Sequence, residues 1–256
     1  MEYFVDKNSI VRQIWGKSDT ILFIFAGAAA EFALNKAVDW LYFTGRLPAD
    51  PLGRLFSTVS YARSIVFSEK QSALQTIDAI AAIHAGVEEK RGASIPDSAY
   101  RDVLFMLIDY SIRSFELLER ELNSSEKQEV FDVFYRVSSR MGVKGLPHDF
   151  AAWERMRQEQ INENLVYSHF TKNLFHQYRK HLGLLRYKIL LEVQAEVLPQ
   201  TVRGLLGLSS LLPFSPLIGI VKLSTRMKFD WLLKALILPT NYKKDIRALD
   251  REPVMP

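Results

Sequence analysis

The chain has 256 residues, of which 48% are hydrophobic, and a formal net charge of +4. This composition provides a sizeable core for one large domain or two closely packed halves, and it excludes a mainly disordered protein. The chain has no cysteine, which excludes disulfides, iron–sulfur clusters, thiolate-ligated haem and thiol catalysis. Its 33 basic residues are interspersed with 29 acidic ones, so we expect no nucleic-acid surface, whereas an anionic cofactor or membrane surface is compatible.

Apolar residues recur at intervals of three and four along almost the whole chain, and no sustained alternation indicates strands. The sequence therefore predicts an all-α protein. It shows no recognisable domain boundary, so we expect a single domain over 1–256. The predicted helices cover 8–15, 20–34, 51–66, 68–92, 98–122, 125–141, 149–182 and 181–198. Their expected N-terminal caps are Asp19, Ser68 with Gln71, Asp97, and Ser125 with Gln128.

Two apolar stretches raise the question of a membrane. Ile21–Leu34 is short for a span and contains Glu31, so we predict a buried core helix. The acidic residues before it argue against a signal peptide. Residues 204–221 are uncharged but contain Pro213 and Pro216, which would break a spanning helix. This segment is either a buried, bent helical pair or a peripheral membrane contact, in a protein that we expect to be cytoplasmic or membrane-associated.

One histidine occupies the apolar face of its predicted helix. On a helical wheel, His84 shares a stripe with Ile77, Ile80, Ala81 and Val87. A buried imidazole requires a hydrogen-bond partner or a metal, and on this pattern alone a hydrogen-bonded core histidine is the favoured interpretation.

The other histidines carry weaker signals. His169, His176 and His181 lack a zinc-ligand spacing and predict a partly exposed basic face, while His148 is expected at the surface. Trp153, Tyr167 and Phe170 are predicted to lie in the core.

Two further pairs stand four residues apart. In "DPLGRLFSTVSYARSIVF", residues 50–67, Arg54 and Thr58 share a helical face that either meets water or lines a cofactor. Asp109 and Arg113 lie in a strongly apolar helix, where an ion pair of structural purpose is expected. The sequence contains no phosphate-binding loop, dinucleotide fingerprint, nucleophile elbow, zinc-protease motif or di-iron motif.

These features together resemble the superfamily of rubber oxygenases (latex-clearing proteins) and mycophenolic-acid-pathway B oxygenases. The resemblance begins at "IWG", is clearest through residues 50–67, and continues in "AIAAIHAGVEEKRG" and "LIDYSIRSFELLERELNSSEKQEVF". It rests on the order of an Arg-x-x-x-Thr pair, a histidine one helix later and an Asp-x-x-x-Arg helix. It covers about half the chain, roughly 10–153.

The resemblance implies an all-helical protein with a globin-like core that binds haem b. By this resemblance His84 is the proximal ligand of the iron, and Arg54 and Thr58 belong to the haem site. An arginine can approach a haem propionate, and a threonine hydroxyl one turn away can hydrogen-bond in the same pocket. The implied activity is that of an oxygenase-type oxidoreductase acting with O₂ on a hydrophobic substrate, an isoprenoid or an unsaturated lipid.

The chain departs from the family pattern on the distal side of the expected haem. Leu104 and Leu34-Asn35 stand where many members have a histidine and a His-Pro pair, and Ser57 replaces a lysine found in some rubber oxygenases. Glu31 and Asp39 remain as acidic candidates nearby, and no distal base is assigned.

Two other functions stay open at this point. One is a non-catalytic haem- or lipid-binding helical protein. The other is a metal-free scaffold or membrane-interface protein in which His84 is merely packed and Arg54 solvated.

Overall fold

The computed structural model describes residues 2–45 and 49–208 of the chain. In this part the chain forms ten α-helices and no sheet, with isolated β-bridges at Tyr3–Glu69 and Asn35–Leu165. The all-α prediction is therefore confirmed. That residues 1–256 form one domain stays a prediction, because residues 209–256 lie outside the described part.

The helices follow one another with short connections. They are α1 (Ile10–Trp15), α2 (Ser18–Phe32), α3 (Asp39–Phe43), α4 (Pro51–Phe67), α5 (Lys70–Arg91), α6 (Asp97–Leu118), α7 (Ser124–Arg140), α8 (Phe150–Glu163), α9 (His169–Val197) and α10 (Gln200–Leu205).

Several helix starts differ from the sequence prediction. Lys17 occupies the N-cap of α2, and Asp19 lies within its first turn, where its charge still complements the helix dipole. The capping box of α7 is formed by Asn123 and Glu126 instead of Ser125 and Gln128. Asn123 has an extended backbone that presents its side chain to the first turn, whereas Ser125 is already inside the helix.

The long helical stretch predicted from Asp149 is divided in two. Helix α8 ends at Glu163, and α9 starts after Ser168, whose side chain forms a capping box with Thr171. In the connection, Tyr167 is 52% exposed, so its predicted core position is wrong, whereas Trp153 is buried as predicted. Helix α9 then continues past residue 182 with a kink at Gly183, whose φ is +74°.

Helix α2 lies at the centre of the core and packs on α6 and α9. Its buried residues include Ile21, Ile24, Phe25 and Ala30, which confirms the prediction of a core helix. At Gly27 a Cβ atom would lie 2.4 Å from the ring of Tyr110, so glycine is what permits this close packing.

No helix among residues 2–45 and 49–208 is both long and apolar enough to cross a bilayer. Of the second apolar stretch, residues 209–221 lie outside the described residues.

Candidate functional site

Arg54 and Thr58 lie one turn apart on α4, and both are half-buried. The Thr58 hydroxyl donates to the backbone oxygen of Arg54 at 3.1 Å, and Arg54 Nη1 donates to Thr58 Oγ1 at 3.5 Å. Ser57, which is exposed, also accepts from Arg54 Nη1, at 3.3 Å. The side chains therefore share one face, and neither is simply solvated.

His84 lies on the half-buried face of α5, and α5 packs against α4. Its Nδ1 atom is enclosed and has no hydrogen-bond partner among the described residues. The ring of Tyr100, on α6, meets the imidazole edge-on, with 5.3 Å between the ring centroids and an interplanar angle of 81°. A buried imidazole nitrogen without a hydrogen-bond partner destabilises the folded protein unless a ligand or another polar group binds it.

The surroundings of His84 favour its neutral form. Burial lowers the pKa of His84, and the positive charge of Arg54 lowers it further. The Ile80 carbonyl and the Glu88 carboxylate oppose this shift, although the carbonyl does not reach Nδ1 with hydrogen-bonding geometry. The structure thus brings Arg54 close enough to act on His84, and a neutral imidazole is the form that binds a metal.

Glu88 links His84's surroundings to the connection between α5 and α6. Its Oε1 atom accepts from the backbone N–H of Ile95 at 2.7 Å and from the Tyr100 hydroxyl at 3.5 Å. Burial and the Glu88 charge raise the pKa of Tyr100 to about 12, so the hydroxyl stays protonated and continues to donate. These contacts hold the Tyr100 ring beside the imidazole.

Arg91 ends α5 on the same side of the helix as His84. Its Nη2 atom pairs with Asp39 Oδ2 at 2.6 Å, and its guanidinium carbon lies 3.9 Å from the ring centroid of Trp40. The Nη1 atom is buried and has no hydrogen-bond partner among the described residues. Asp39, one of the two acidic candidates, is thus engaged in an ion pair with the helix that carries His84.

The other acidic candidate, Glu31, belongs to a buried network. Arg157 of α8 binds Glu31 through two nitrogens, at 2.5 and 2.6 Å, and binds Asp109 Oδ2 from Nη2 at 2.8 Å. The Tyr110 hydroxyl donates to Glu31 Oε2 at 2.6 Å, and Gln160 also contacts both Arg157 and Glu31. Glu31 is therefore a structural group that ties α2 to α6 and α8.

Sequence reasoning found one part of this network and missed another. The predicted ion pair between Asp109 and Arg113 is present at 2.7 Å. Arg157 was not singled out, yet its four-residue spacing from Trp153 and Ile161 places it on the buried face of α8. An arginine on an otherwise apolar face is the signal that could have revealed it.

The remaining predicted residues lie away from this chemistry. His148, His169 and His176 are exposed, and His181 is half-buried, in agreement with a partly exposed basic face. Leu104, the residue in place of a family histidine, is a core residue with 3% exposure. Within the described ranges, no group of three or more His, Asp or Glu side chains is arranged to hold a metal ion.

Comparison with known proteins gives one match. No curated protein and no solved structure matches the chain. The family model described as "ER-bound oxygenase mpaB/B'/Rubber oxygenase, catalytic domain" matches residues 13–221, which include all three predicted haem-site residues and most of the chain. The chain therefore belongs to the mpaB and rubber oxygenase family and carries the catalytic domain of an oxygenase.

Proposed function

We propose that this protein is a haem b-dependent oxygenase that acts with O₂ on a hydrophobic substrate, an isoprenoid or an unsaturated lipid. The observation that supports this proposal most directly is the enclosed, unpartnered ring nitrogen of His84 beside Arg54. The family match supports the oxygenase class. The haem cofactor and the hydrophobic substrate are part of the proposal.

The residues at this position fit a haem. A haem iron needs only one proximal side chain from the protein, and a neutral histidine is a common choice. The surroundings of His84 favour its neutral form, and the Tyr100 ring meets the imidazole edge-on. The second ring nitrogen of a ligand histidine usually donates to an oxygen, and the Ile80 carbonyl one turn earlier already acts on this imidazole.

The surrounding side chains have separable roles in this proposal. Burial and, second to it, the charge of Arg54 lower the pKa of His84, and Arg54 also offers a cation to an anionic cofactor edge. Thr58 offers a hydroxyl one turn along the same face. Bound haem supplies the oxygen chemistry, and the protein supplies ligation, orientation and the exclusion of water.

The half-buried apolar face of α5 suits a hydrophobic substrate. Ile80 and Val87 flank His84 on this face, and the neighbouring Ile83 is 49% exposed. Apolar side chains at these positions would favour isoprenoid or lipid chains over polar substrates.

A non-catalytic haem- or lipid-binding protein is the second candidate function. The observation in its favour is that Leu104, which stands in place of a histidine, is packed in the core and offers no polar group. Oxygen uptake with an isoprenoid or an unsaturated lipid, measured on haem-loaded protein, separates the two candidates.

The deciding experiment is a visible absorption spectrum of protein expressed with a haem precursor. We expect a Soret band in the wild type that is lost or shifted in His84→Ala and unchanged in His148→Ala, a control at an exposed histidine. A wild type without a Soret band would contradict the proposal, and so would a band that His84→Ala leaves intact.

A further inference from the structure

Of the two terminal nitrogens of Arg91, only Nη2 has a hydrogen-bond acceptor among the described residues. Asp39 accepts from Nη2 and the Trp40 ring covers one face, but Nη1 is buried with no acceptor. A buried, charged N–H without a partner is unfavourable, so native proteins rarely leave one unsatisfied. Nη1 therefore marks a position at which an acceptor from outside the described residues is expected.

The position of Arg91 relates this donor to the candidate haem site. Arg91 follows His84 by seven residues on α5, which places both side chains on one face, about 10 Å apart along the helix axis. His84, Val87, Glu88 and Arg91 are all half-buried, whereas Ala85, Glu89 and Lys90 between them are exposed. A ligand lying along this face could meet His84 and Arg91 together.

A carboxylate is the acceptor that this donor fits best. Arginine binds carboxylates through charge-assisted hydrogen bonds, and the Trp40 ring fixes the guanidinium plane. The Asp39 charge does not prevent this, because Arg157 in the same protein is shared by two carboxylates, those of Glu31 and Asp109. Asp39 binds one terminal nitrogen of Arg91, and a second carboxylate can bind the other in the same way.

We propose that Arg91 Nη1 binds a carboxylate of a ligand that lies along the His84 face of α5. Two sources share this chemistry: a propionate of haem and the head group of a fatty acid. This inference rests on the proposed function where the ligand is haem, but the fatty-acid source tests it independently of haem binding.

The experiment compares wild type with Arg91→Gln, which removes the charge, and Arg91→Lys, which keeps the charge but not the fork. Arg140→Gln is the matched control, because Arg140 pairs with Asp78 at the surface on the α5–α7 side. Haem-free protein is titrated with haem b, with haem b dimethyl ester and with palmitate, and thermal unfolding confirms that each variant folds.

For a haem propionate, Arg91→Gln should weaken binding of haem b about tenfold or more and leave the dimethyl ester unaffected. For a fatty acid, the same variant should weaken palmitate binding and spare haem. Equal loss for haem and its ester would overturn the proposal, because the variant would then disturb packing alone. It would also be overturned if Arg91→Gln and Arg140→Gln bind every ligand alike. A wild type that binds palmitate through Arg91 but shows no His84-dependent Soret band would contradict the proposed function and leave this inference standing.

Discussion

Arg157 on α8 binds the Glu31 carboxylate on α2 through both terminal nitrogens, Nη1 at 2.5 Å and Nη2 at 2.6 Å. Neither side chain is more than 5% exposed. The same arginine reaches Asp109 on α6, which in turn pairs with Arg113. Two carboxylates and two guanidiniums thus balance in charge. Burial opposes the charge on Arg157, but its two carboxylate partners raise its pKa well above the ordinary value, so it remains charged.

We expect Arg157→Met to destabilise the protein by about 3–5 kcal/mol, because it leaves the carboxylates of Glu31 and Asp109 buried without their shared cation. Urea denaturation measures this loss. The control is Arg140→Gln, which removes an ion pair with Asp78 in which both side chains are about half exposed. This variant should hardly change the urea concentration at the midpoint of unfolding.

Neutralising the stranded carboxylates should restore part of the loss. We expect the triple variant Glu31→Gln, Asp109→Asn, Arg157→Met to be more stable than Arg157→Met alone, because it buries no uncompensated charge. A triple variant that is less stable than the single one would show that the network acts through its shape and not through its charge balance.

Gly27→Ala should destabilise the protein by roughly 1–3 kcal/mol through overpacking. The new Cβ atom would meet the Tyr110 ring at 2.4 Å, and that ring cannot retreat because its hydroxyl is bound to Glu31. Gly204→Ala in α10 is the matched control: no atom of the described residues lies within 4 Å of its Cβ position, so a gain of about 0.5–1 kcal/mol is expected from helix propensity. Thermal unfolding of both variants compares them, and equal shifts would refute the close-packing argument.

In haem-free protein we expect the pKa of His84, followed by NMR, to lie below the ordinary histidine value. Burial comes first among the causes and Arg54 second, so Arg54→Gln should raise the pKa of His84, whereas Glu88→Gln should lower it further. Opposite signs from these two variants are the specific signature. Shifts in the same direction would show that the charges of Arg54 and Glu88 do not act on His84 as described.

The same pKa shift predicts a pH dependence of folding. The folded protein favours neutral His84, so below the ordinary pKa of about 6.5 the unfolded chain binds more protons, and stability falls as the pH is lowered. His84→Phe, which cannot titrate, should lose less stability between pH 7 and pH 5 than the wild type. An identical loss in denaturation curves at the two pH values would contradict this.

Thr58→Val should leave folding nearly unchanged and lower haem occupancy. The hydroxyl donates to the backbone oxygen of Arg54 one turn earlier, a contact that contributes little to helix stability, and it accepts from the Arg54 side chain. Thr58→Ser keeps the hydroxyl and serves as the control. The ratio of Soret to protein absorbance reports occupancy, and equal ratios in the two variants would remove the hydroxyl from the haem site.

The sequence by itself determined the helical class, the core helix over Ile21–Leu34 and the Asp109–Arg113 pair, because helical periodicity and four-residue spacing are local properties. The match to the family over residues 13–221 is likewise carried by the order of residues along the chain. The helix caps predicted from the sequence were less accurate, since Asn123 instead of Ser125 caps α7. Cap choice depends on the backbone angle just outside the helix, which periodicity does not contain.

Only the tertiary structure decided which distant side chains meet. Arg157 joins Glu31 across 126 positions of sequence, and Tyr100 reaches His84 from the next helix. The division of the stretch from Asp149 at residues 164–168 is held by Asn164 bonding to Asp102 and by the bridge from Leu165 to Asn35. Each of these contacts is stabilised by burial between helices, and burial of that kind exists only once the helices have packed.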